Sequence, residues 1–273
     1  MKHIAGPQII AKAIEFGADL CGLVSVEELI HSPSTERYEN LGGWAGVGGP
    51  HANSSKNLHV GEVKWPDDGI TMAVIAIKHP SNEPELDWWQ DAAQPGGTKG
   101  NGALIRILNQ LSTWLEREKG INTKKIPYQI NAGGIFLKDA AVLAGIGIIG
   151  RNNLLITPAF GPRVRLRALS LPIKLKSSGR MAFDPCRDCA EHCRLACPES
   201  AFVEKQDSSD SNGSENLPGR DGAYRRDKCH NQMLKNQNAG ERLIVQVNSE
   251  TKEVSRVHYC RKCEFACPVG RDF

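Results

Sequence analysis

The chain has 273 residues, of which 40% are hydrophobic, and a formal net charge of +3 at pH 7. That length allows one large domain or two of ordinary size, and the apolar content is enough for a packed core. The charge is too small to indicate a nucleic-acid or membrane surface. The longest apolar stretch, residues 140–150, is well short of the roughly 20 residues of a membrane helix. With no secretory segment at the start of the sequence, we expect a cytoplasmic protein without a membrane partner.

Helical and strand patterns alternate through the first part of the chain. Apolar periodicity predicts helices over residues 7–16, 25–30, 101–119 and 135–144, the second opened by a capping box of Ser25 and Glu28. Continuous or alternating apolar runs predict strands over residues 20–24, 70–77 and 163–169. This order is typical of an α/β fold. We interpret Cys21, in the first strand, as a buried apolar residue rather than a reactive thiol.

Three stretches have the composition of connections. Residues 41–50 are glycine-rich around Trp44 and predict a loop that could act as a lid. Residues 174–180 are interpreted as a linker between two domains. Residues 206–220 are rich in Ser, Asp, Asn and Gly and predict a mobile surface insertion.

The strand over residues 163–169 places Arg163, Arg165 and Arg167 on one face. Three guanidinium groups there could bind a carboxylate or phosphate, or form the solvated face of an edge strand. His79 follows the preceding strand, where it is either a hydrogen-bonded structural residue or a ligand or proton donor.

The segment from residue 131 to 152 is unusual in its glycines. Asn131-Ala-Gly-Gly leads into a helical run, and Gly145-Ile-Gly-Ile-Ile-Gly150-Arg151-Asn152 follows it. Three glycines in six residues let a backbone approach a large flat ligand closely. The alternative is a tight connection between a helix and a strand.

Eight of the nine cysteines lie between residues 186 and 267, in two runs that end in Cys-Pro. The first run is Cys186-x2-Cys189-x3-Cys193-x3-Cys197-Pro198; the second is Cys260-x2-Cys263-x3-Cys267-Pro268, with Cys229 upstream. Eight thiolates match two [4Fe-4S] clusters. In two-cluster ferredoxins the cysteine before proline ligates the other cluster.

That crossover divides the eight cysteines into two sets. The first cysteine set is Cys186, Cys189, Cys193 and Cys267, and the second cysteine set is Cys229, Cys260, Cys263 and Cys197. The three residues between Cys189 and Cys193 exceed the two of the bacterial ferredoxin pattern. Structural zinc is the rival interpretation, because paired Cys-x2-Cys also suits a tetrahedral thiolate site. A disulfide framework is disfavoured, because cytosolic thiols stay reduced.

Residues 138–156, together with Cys186 to Pro198, Cys229 and Cys260 to Pro268, resemble the epoxyqueuosine reductase and reductive dehalogenase group of corrinoid iron-sulfur proteins. The resemblance implies a nitroreductase-like α+β sandwich over residues 1–178 and a dicluster bacterial ferredoxin-like domain over residues 179–273. It also implies base-off cobalamin, reduced by the nearer cluster. The cofactor-binding residues implied are Lys138, Gly145, Gly147, Gly150, Arg151 and Asn152.

Two departures from this group are visible in the sequence. Asn131 stands where epoxyqueuosine reductases carry an aspartate proton donor, and an amide can hydrogen-bond a substrate but cannot act as a general acid. Asn131 is therefore the candidate at the catalytic position. The sequence ends five residues after Pro268, without the helical-repeat extension used for tRNA. We therefore expect tRNA not to be a partner.

The sequence thus predicts an iron-sulfur oxidoreductase that is cobalamin-dependent or cobalamin-reducing. Its expected partner is a low-potential electron donor of the ferredoxin or flavodoxin type, or a corrinoid protein. The alternative is a dicluster electron carrier whose first domain binds a flavin or docks a partner protein.

Overall fold

The computed structural model describes residues 4–37, 58–90, 97–205, 220–247 and 249–271. The predicted loop over residues 41–50 lies outside the described residues, as does the predicted insertion over residues 206–220 apart from Arg220. No helix in these ranges is long and apolar enough to span a membrane.

Eight helices and nine strands occur in the described ranges. The helices are α1 Gly6–Glu15, α2 Val26–Ile30, α3 Pro33–Glu36, α4 Lys99–Trp114, α5 Leu137–Leu143, α6 His192–Leu195, α7 Arg226–Asn238 and α8 Lys262–Ala266. The strands are β1 Leu20–Ser25, β2 Thr71–Lys78, β3 Trp88–Gln90, β4 Lys124–Lys125, β5 Ile148–Ile149, β6 Leu155–Ile156, β7 Val164–Leu171, β8 Glu241–Val247 and β9 Glu250–His258. Short 3₁₀ turns cover Pro84–Asp87 and Ile130–Ala132.

A four-stranded sheet of order β1-β2-β7-β4 forms the centre of the first part of the chain, with every neighbouring pair antiparallel. Helices α1 and α4 cover one face, and α2 and α5 cover the other. Because both faces are covered, β2 is buried along all but its last residue, which explains its uninterrupted apolar sequence. The mixed α/β fold and the central position of this strand are confirmed.

Local signals account for several element boundaries. Helix α2 begins with the predicted capping box, in which the Glu28 amide donates to Ser25 Oγ at 3.1 Å. Helix α4 presents its apolar stripe to the core and continues as one wider turn to Gly120, whose φ of 67° is left-handed. In β1, a Cβ on Gly22 would stand 2.1 Å from the Ala144 carbonyl oxygen, so the strand and the end of α5 are in backbone contact.

The second part of the chain is joined to the first by a sheet and by the predicted linker. Strands β8 and β9 form a hairpin, and β9 also pairs with β3 to give the order β3-β9-β8. The linker lies along β1, where the Ser178 amide donates to the Leu23 carbonyl at 2.8 Å and the Ser25 amide donates to Ser177 Oγ at 3.0 Å. The domain boundary at residue 178 stays a prediction. Pairing of β3 with β9 joins the parts of the chain before and after it.

Candidate functional site

All four cysteines of the first set line one recess. Cys193 lies on α6, Cys267 directly follows α8, and Cys186 and Cys189 lie in the loop that precedes α6. The other residues that line the recess are Arg151, Asn152, Ile156, Pro185, Glu191, Pro268 and Val269. Cysteines that are 81 residues apart in the sequence, such as Cys186 and Cys267, therefore face a common space.

The mutual influence of the thiols also groups the first set. Burial, followed by the neighbouring Cys267, Cys186 and Cys189, raises the pKa of Cys193 to about 12. Burial likewise raises the pKa of Cys267, and Cys186 and Cys189 add to that effect. Thiols influence one another in this way only when they are close.

The second set is grouped by the same evidence. Burial raises the pKa of Cys260, and the neighbouring Cys229 and Cys197 raise it further. Burial raises the pKa of Cys263, with contributions from Glu264, Cys229 and Cys260. Cys193 of the first set also raises the pKa of Cys263, so the two sets are neighbours.

Short helices place these cysteines. Helices α6 and α8 pack against each other, and each carries one cysteine of a different set, Cys193 and Cys263. Cys229 lies on α7, whose start is held by the Arg225 amide donating to the Ala201 carbonyl at 2.7 Å.

Within the described ranges, no three His, Cys, Asp or Glu side chains are close enough to hold a single metal ion.

Arg163 ties the first part of the chain to the segment that carries Cys267. Its side chain is 3% exposed, and its guanidinium donates to the carbonyls of Glu264 at 3.1 Å and Cys267 at 3.3 Å. It also donates to the carbonyls of Val269 and Gly270. A Cβ on Gly161 would stand 2.1 Å from the Val269 carbonyl oxygen, so the backbones are in contact here.

The interpretation of the three arginines as a solvated edge face is wrong. Strand β7 lies between β2 and β4, and each arginine side chain is used inside the protein. Arg165 pairs with Asp87 at 2.8 Å and with Glu264 at 3.1 Å. Arg167 donates to Asn101 Oδ1 at 2.9 Å. The carboxylates that Arg165 binds are the protein's own, and Arg163 and Arg167 donate to carbonyl and amide oxygens of the protein.

A buried network of charged side chains connects Arg165, Asp87 and Glu264 to the segment that carries the second cysteine set. Arg261, which follows Cys260, pairs with Glu264 and lies 2.7 Å from Asp87. It also donates to the His79 carbonyl at 2.6 Å. Burial by itself would raise the pKa of Asp87, but Arg165, His79 and Arg261 outweigh it and lower the pKa to about 2. The network therefore holds Asp87 ionised.

His79 belongs to this network as a buried structural residue. Its side chain is fully buried, and Nδ1 lies 2.9 Å from Asp87 Oδ2. Burial lowers the pKa of His79, with Asp87 opposing and Arg165 adding to the shift. Gly100 is required beside it, since a Cβ there would stand 2.1 Å from His79 Cε1.

The glycine segment forms the end of α5 and the small β5-β6 hairpin. A Cβ on Gly145 would stand 2.4 Å from the Gly179 carbonyl oxygen, and one on Gly147 would stand 2.3 Å from the Ile156 carbonyl oxygen. Gly150 packs equally closely on the Ile156 side chain. Contacts within the protein therefore account for all three glycines, as the tight-connection alternative expects. Their role toward a corrinoid stays a prediction.

Arg151 and Asn152 occupy the turn of that hairpin and line the recess of the first cysteine set. Arg151 pairs with Glu191, and the Arg151 carbonyl accepts from Arg194 Nε at 3.1 Å. Asn152 is 3% exposed, and its Oδ1 accepts from the Leu154 amide at 3.2 Å. Of the predicted cofactor-binding residues, these two are next to the cysteines.

Lys138 and Asn131 lie on the same side of the first part of the chain as α5. Lys138, the second residue of α5, donates to the Asn153 carbonyl at 2.6 Å. Burial lowers the pKa of Lys138 to about 8, with Asp139 opposing and Arg226 of α7 adding to the shift. Asn131 is half-buried in the 3₁₀ turn before α5. Neither residue lines the recess of the first set.

Sequence reasoning missed the roles of Arg163, Arg261 and Glu264. Arg261 and Glu264 lie inside the second cysteine run, and their charges so close to predicted ligands could have indicated a role at the site. Arg163 carried no such signal, because its partners lie 101 to 107 residues further along the chain.

Comparisons with known proteins agree with the resemblance found in the sequence. No family model matches the chain. The chain is 25% identical over 215 residues to the epoxyqueuosine reductase of Gloeobacter violaceus, covering 72% of this chain and 60% of that protein. A 70-residue stretch is 40% identical to a tetrachloroethene reductive dehalogenase of Desulfitobacterium hafniense, covering 24% of this chain and 12% of that one.

Solved structures show the same fold. An epoxyqueuosine reductase crystallised with a tRNA-Tyr epoxyqueuosine-modified stem loop superposes with a TM-score of 0.63 at 19% identity, covering 97% of this chain and 65% of that chain. A reductive dehalogenase whose structure suggests a mechanism for B12-dependent dehalogenation superposes with a TM-score of 0.58 at 13% identity, covering 97% and 32%.

The predicted resemblance is therefore confirmed: homologues of the chain include epoxyqueuosine reductase and reductive dehalogenases. The chain spans about 60% of the length of the epoxyqueuosine reductase that it matches in sequence. One structural neighbour was solved with a tRNA stem loop, and the expectation that tRNA is not a partner of this chain stays a prediction.

Proposed function

We propose that the protein is an iron-sulfur reductase that works with a corrinoid, and that residues 179–273 form a dicluster ferredoxin-like domain. The observation that supports this most directly is the recess lined by all four cysteines of the first set, with Arg151 and Asn152 of the glycine segment on its wall. Homology to epoxyqueuosine reductase and to reductive dehalogenases supports the same reaction class.

The eight cysteines fit two [4Fe-4S] clusters in number and in grouping. The thiols influence one another within the two sets that the crossover pattern predicts. The proximity of Cys263 to Cys193 provides a short path for electrons between the two proposed clusters. A low-potential donor of the ferredoxin or flavodoxin type would deliver electrons to the second cluster, in the cytoplasm.

The chain's own residues would each have a defined task. The first cysteine set holds the cluster nearer the glycine segment, and Arg163 holds the Cys267 segment against the first part of the chain through buried hydrogen bonds to its carbonyls. Asn131 would orient a substrate by hydrogen bonding, because an amide has no proton to give at neutral pH. The corrinoid, when bound, supplies a strongly reducing, nucleophilic cobalt centre.

A dicluster electron carrier is the second candidate, and the packing of the glycines favours it. Gly145, Gly147 and Gly150 each contact protein atoms where a side chain would stand, so the segment does not require a ligand to explain its composition. In that case the first part of the chain would bind a flavin or dock a partner protein.

An anaerobic titration of reconstituted protein with cob(II)alamin tests the proposal. We expect two [4Fe-4S] clusters by iron and sulfide analysis, and an EPR spectrum of base-off cobalt that is lost on addition of a low-potential reductant. Two reducible clusters beside an unchanged spectrum of free cobalamin would replace the proposal with the electron carrier. Protein that holds fewer than eight irons after reconstitution, or that holds zinc instead, would refute both candidates.

A further inference from the structure

Asn152 carries a buried hydrogen-bond donor that the described part of the chain leaves without an acceptor. The side chain is 3% exposed, and Nδ2 has no partner among the described oxygen, nitrogen or sulfur atoms. Buried polar groups in proteins almost always have a partner. An acceptor that is not among the described residues is therefore expected beside Nδ2.

The recess of the first cysteine set is the space beside Asn152 in which such an acceptor would lie. Asn152 lines the recess together with the four thiols, and the charged residues on the same wall, Arg151 and Glu191, are paired with each other. The Asn152 Oδ1 end of the amide is held by the Leu154 amide. The Nδ2 end is thus a donor left over beside a space that is also lined by the four thiols, apolar residues and the Arg151–Glu191 pair.

The turn that carries Asn152 holds this donor in place. The Gly150 amide donates to the Leu154 carbonyl at 2.9 Å, and the Asn153 amide donates to the Gly150 carbonyl at 2.9 Å. Arg194 of α6 binds the Arg151 carbonyl, which fixes the turn to the helix that carries Cys193. A donor held in this way needs little rearrangement when charge changes next to it.

We propose that the Asn152 side-chain amide donates a hydrogen bond to a sulfur of the [4Fe-4S] cluster held by the first cysteine set, and thereby raises the reduction potential of that cluster. Hydrogen bonds to the sulfurs are among the factors that set cluster potentials. Reduction adds one electron and makes the sulfurs better acceptors, so the bond favours the reduced state. The inference rests on the proposed clusters but does not require a corrinoid.

The test is an EPR-monitored redox titration of the anaerobically reconstituted full chain without added corrinoid. Asn152→Leu removes the donor at similar volume. Asn152→Ser removes the amide nitrogen, and its hydroxyl, one bond closer to the backbone, no longer places a donor at the position of Nδ2; the hydroxyl oxygen can still accept from the Leu154 amide and so preserve the turn. Asn153→Gly is the matched control, because its residue is next in the chain, does not line the recess and has a φ of 56° that glycine adopts freely.

In both Asn152 variants we expect the equilibrium constant for reduction of one cluster to fall about tenfold, which is about 59 mV for a one-electron couple. The other cluster and the Asn153→Gly control should keep their potentials. The affected signal should be the one that Cys267→Ala abolishes.

Two results would overturn this inference while leaving the proposed function intact. One is two intact clusters with unchanged potentials in both Asn152 variants; the other is an equal shift of both clusters, which would indicate a general structural effect. Wild-type protein that assembles no clusters would instead refute the proposed function itself. If Asn152→Leu fails to assemble clusters, the Asn152→Ser titration decides.

Discussion

Removing the buried Arg163 side chain should lower the free energy of unfolding, and Arg163→Met tests this. The substitution keeps an unbranched apolar stem but leaves the carbonyls of Glu264 and Cys267 without the donors that reach them at 3.1 Å and 3.3 Å. Each buried acceptor left unsatisfied costs about 1–3 kcal/mol. With allowance for relaxation, we expect a loss of about 3 kcal/mol, roughly 6–12 °C in melting temperature for a chain of this size.

Arg167→Met is the matched control, at an arginine four residues further along and within β7. Among the described residues its guanidinium makes one hydrogen bond, to Asn101 Oδ1 at 2.9 Å, and lies 5.2 Å from the centre of the Tyr128 ring. Its removal should cost about 1.5 kcal/mol, or roughly 3–6 °C. Thermal unfolding followed by circular dichroism, on anaerobically reconstituted protein, measures both variants. The Arg163 variant should also lose iron faster on dilution into a chelator, because the Cys267 segment is no longer held.

The reasoning would be refuted if the two variants melted at the same temperature, or if Arg163→Met melted within about 2 °C of the wild type, a shift worth less than about 1 kcal/mol. Either result would mean that the carbonyls of this segment find other donors, and that packing rather than Arg163 joins the two parts of the chain.

Three further predictions concern the cysteine sets, the core and the ion network. Cys267→Ala should abolish the same cluster EPR signal as Cys186→Ala, and Cys197→Ala the same signal as Cys260→Ala; a Cys267→Ala variant that loses the Cys260→Ala signal instead would contradict the crossover. Gly22→Ala should lower the free energy of unfolding in urea by at least about 2–3 kcal/mol, because added volume in a packed core is poorly tolerated. The new Cβ would stand 2.1 Å from the Ala144 carbonyl oxygen. A variant as stable as the wild type would refute this. Asp87→Asn should cost about 2 kcal/mol at pH 7, because the carboxyl pKa is about 2 in the folded protein and about 3.9 in the unfolded chain. A lowered carboxyl pKa stabilises above the unfolded value, so the wild-type advantage should be full above about pH 5 and should vanish as the pH falls toward 2; an advantage that grew on acidification would have the wrong sign.

Much of the fold could be predicted because its signals are local. The capping box at Ser25, the apolar stripe of α4 and the unbroken apolar run of β2 each depend on residues within a few positions of one another, and the structure contains all three elements. The spacing of the cysteines likewise predicts two [4Fe-4S] clusters, and this stays a prediction. The antiparallel order β1-β2-β7-β4 was not predicted, because nothing in a strand's own sequence names its neighbour.

The candidate site divides in the same way. Arg163, Arg165 and Arg167 alternate along one strand, and this pattern alone allowed either a solvated face or a ligand site. The tertiary structure decided between these by bringing the carbonyls beside Cys267 and the carboxylate of Glu264 to within hydrogen-bonding distance. Such contacts join residues about a hundred positions apart, and no local pattern encodes them.

By itself, the sequence predicted helices α1, α2, α4 and α5, the central strand and the homologous group, since each depends on residues close together or on motifs of fixed spacing. The number of cluster cysteines stays a prediction. Only the tertiary structure decided that the three glycines pack on the protein's own atoms, two of them on backbone carbonyls, and that the linker lies along β1. Only it placed the Asn152 amide on the recess of the first cysteine set. The physical reason is that burial, charge and hydrogen-bond satisfaction depend on what surrounds a side chain in space, and the fold supplies those neighbours from distant parts of the chain.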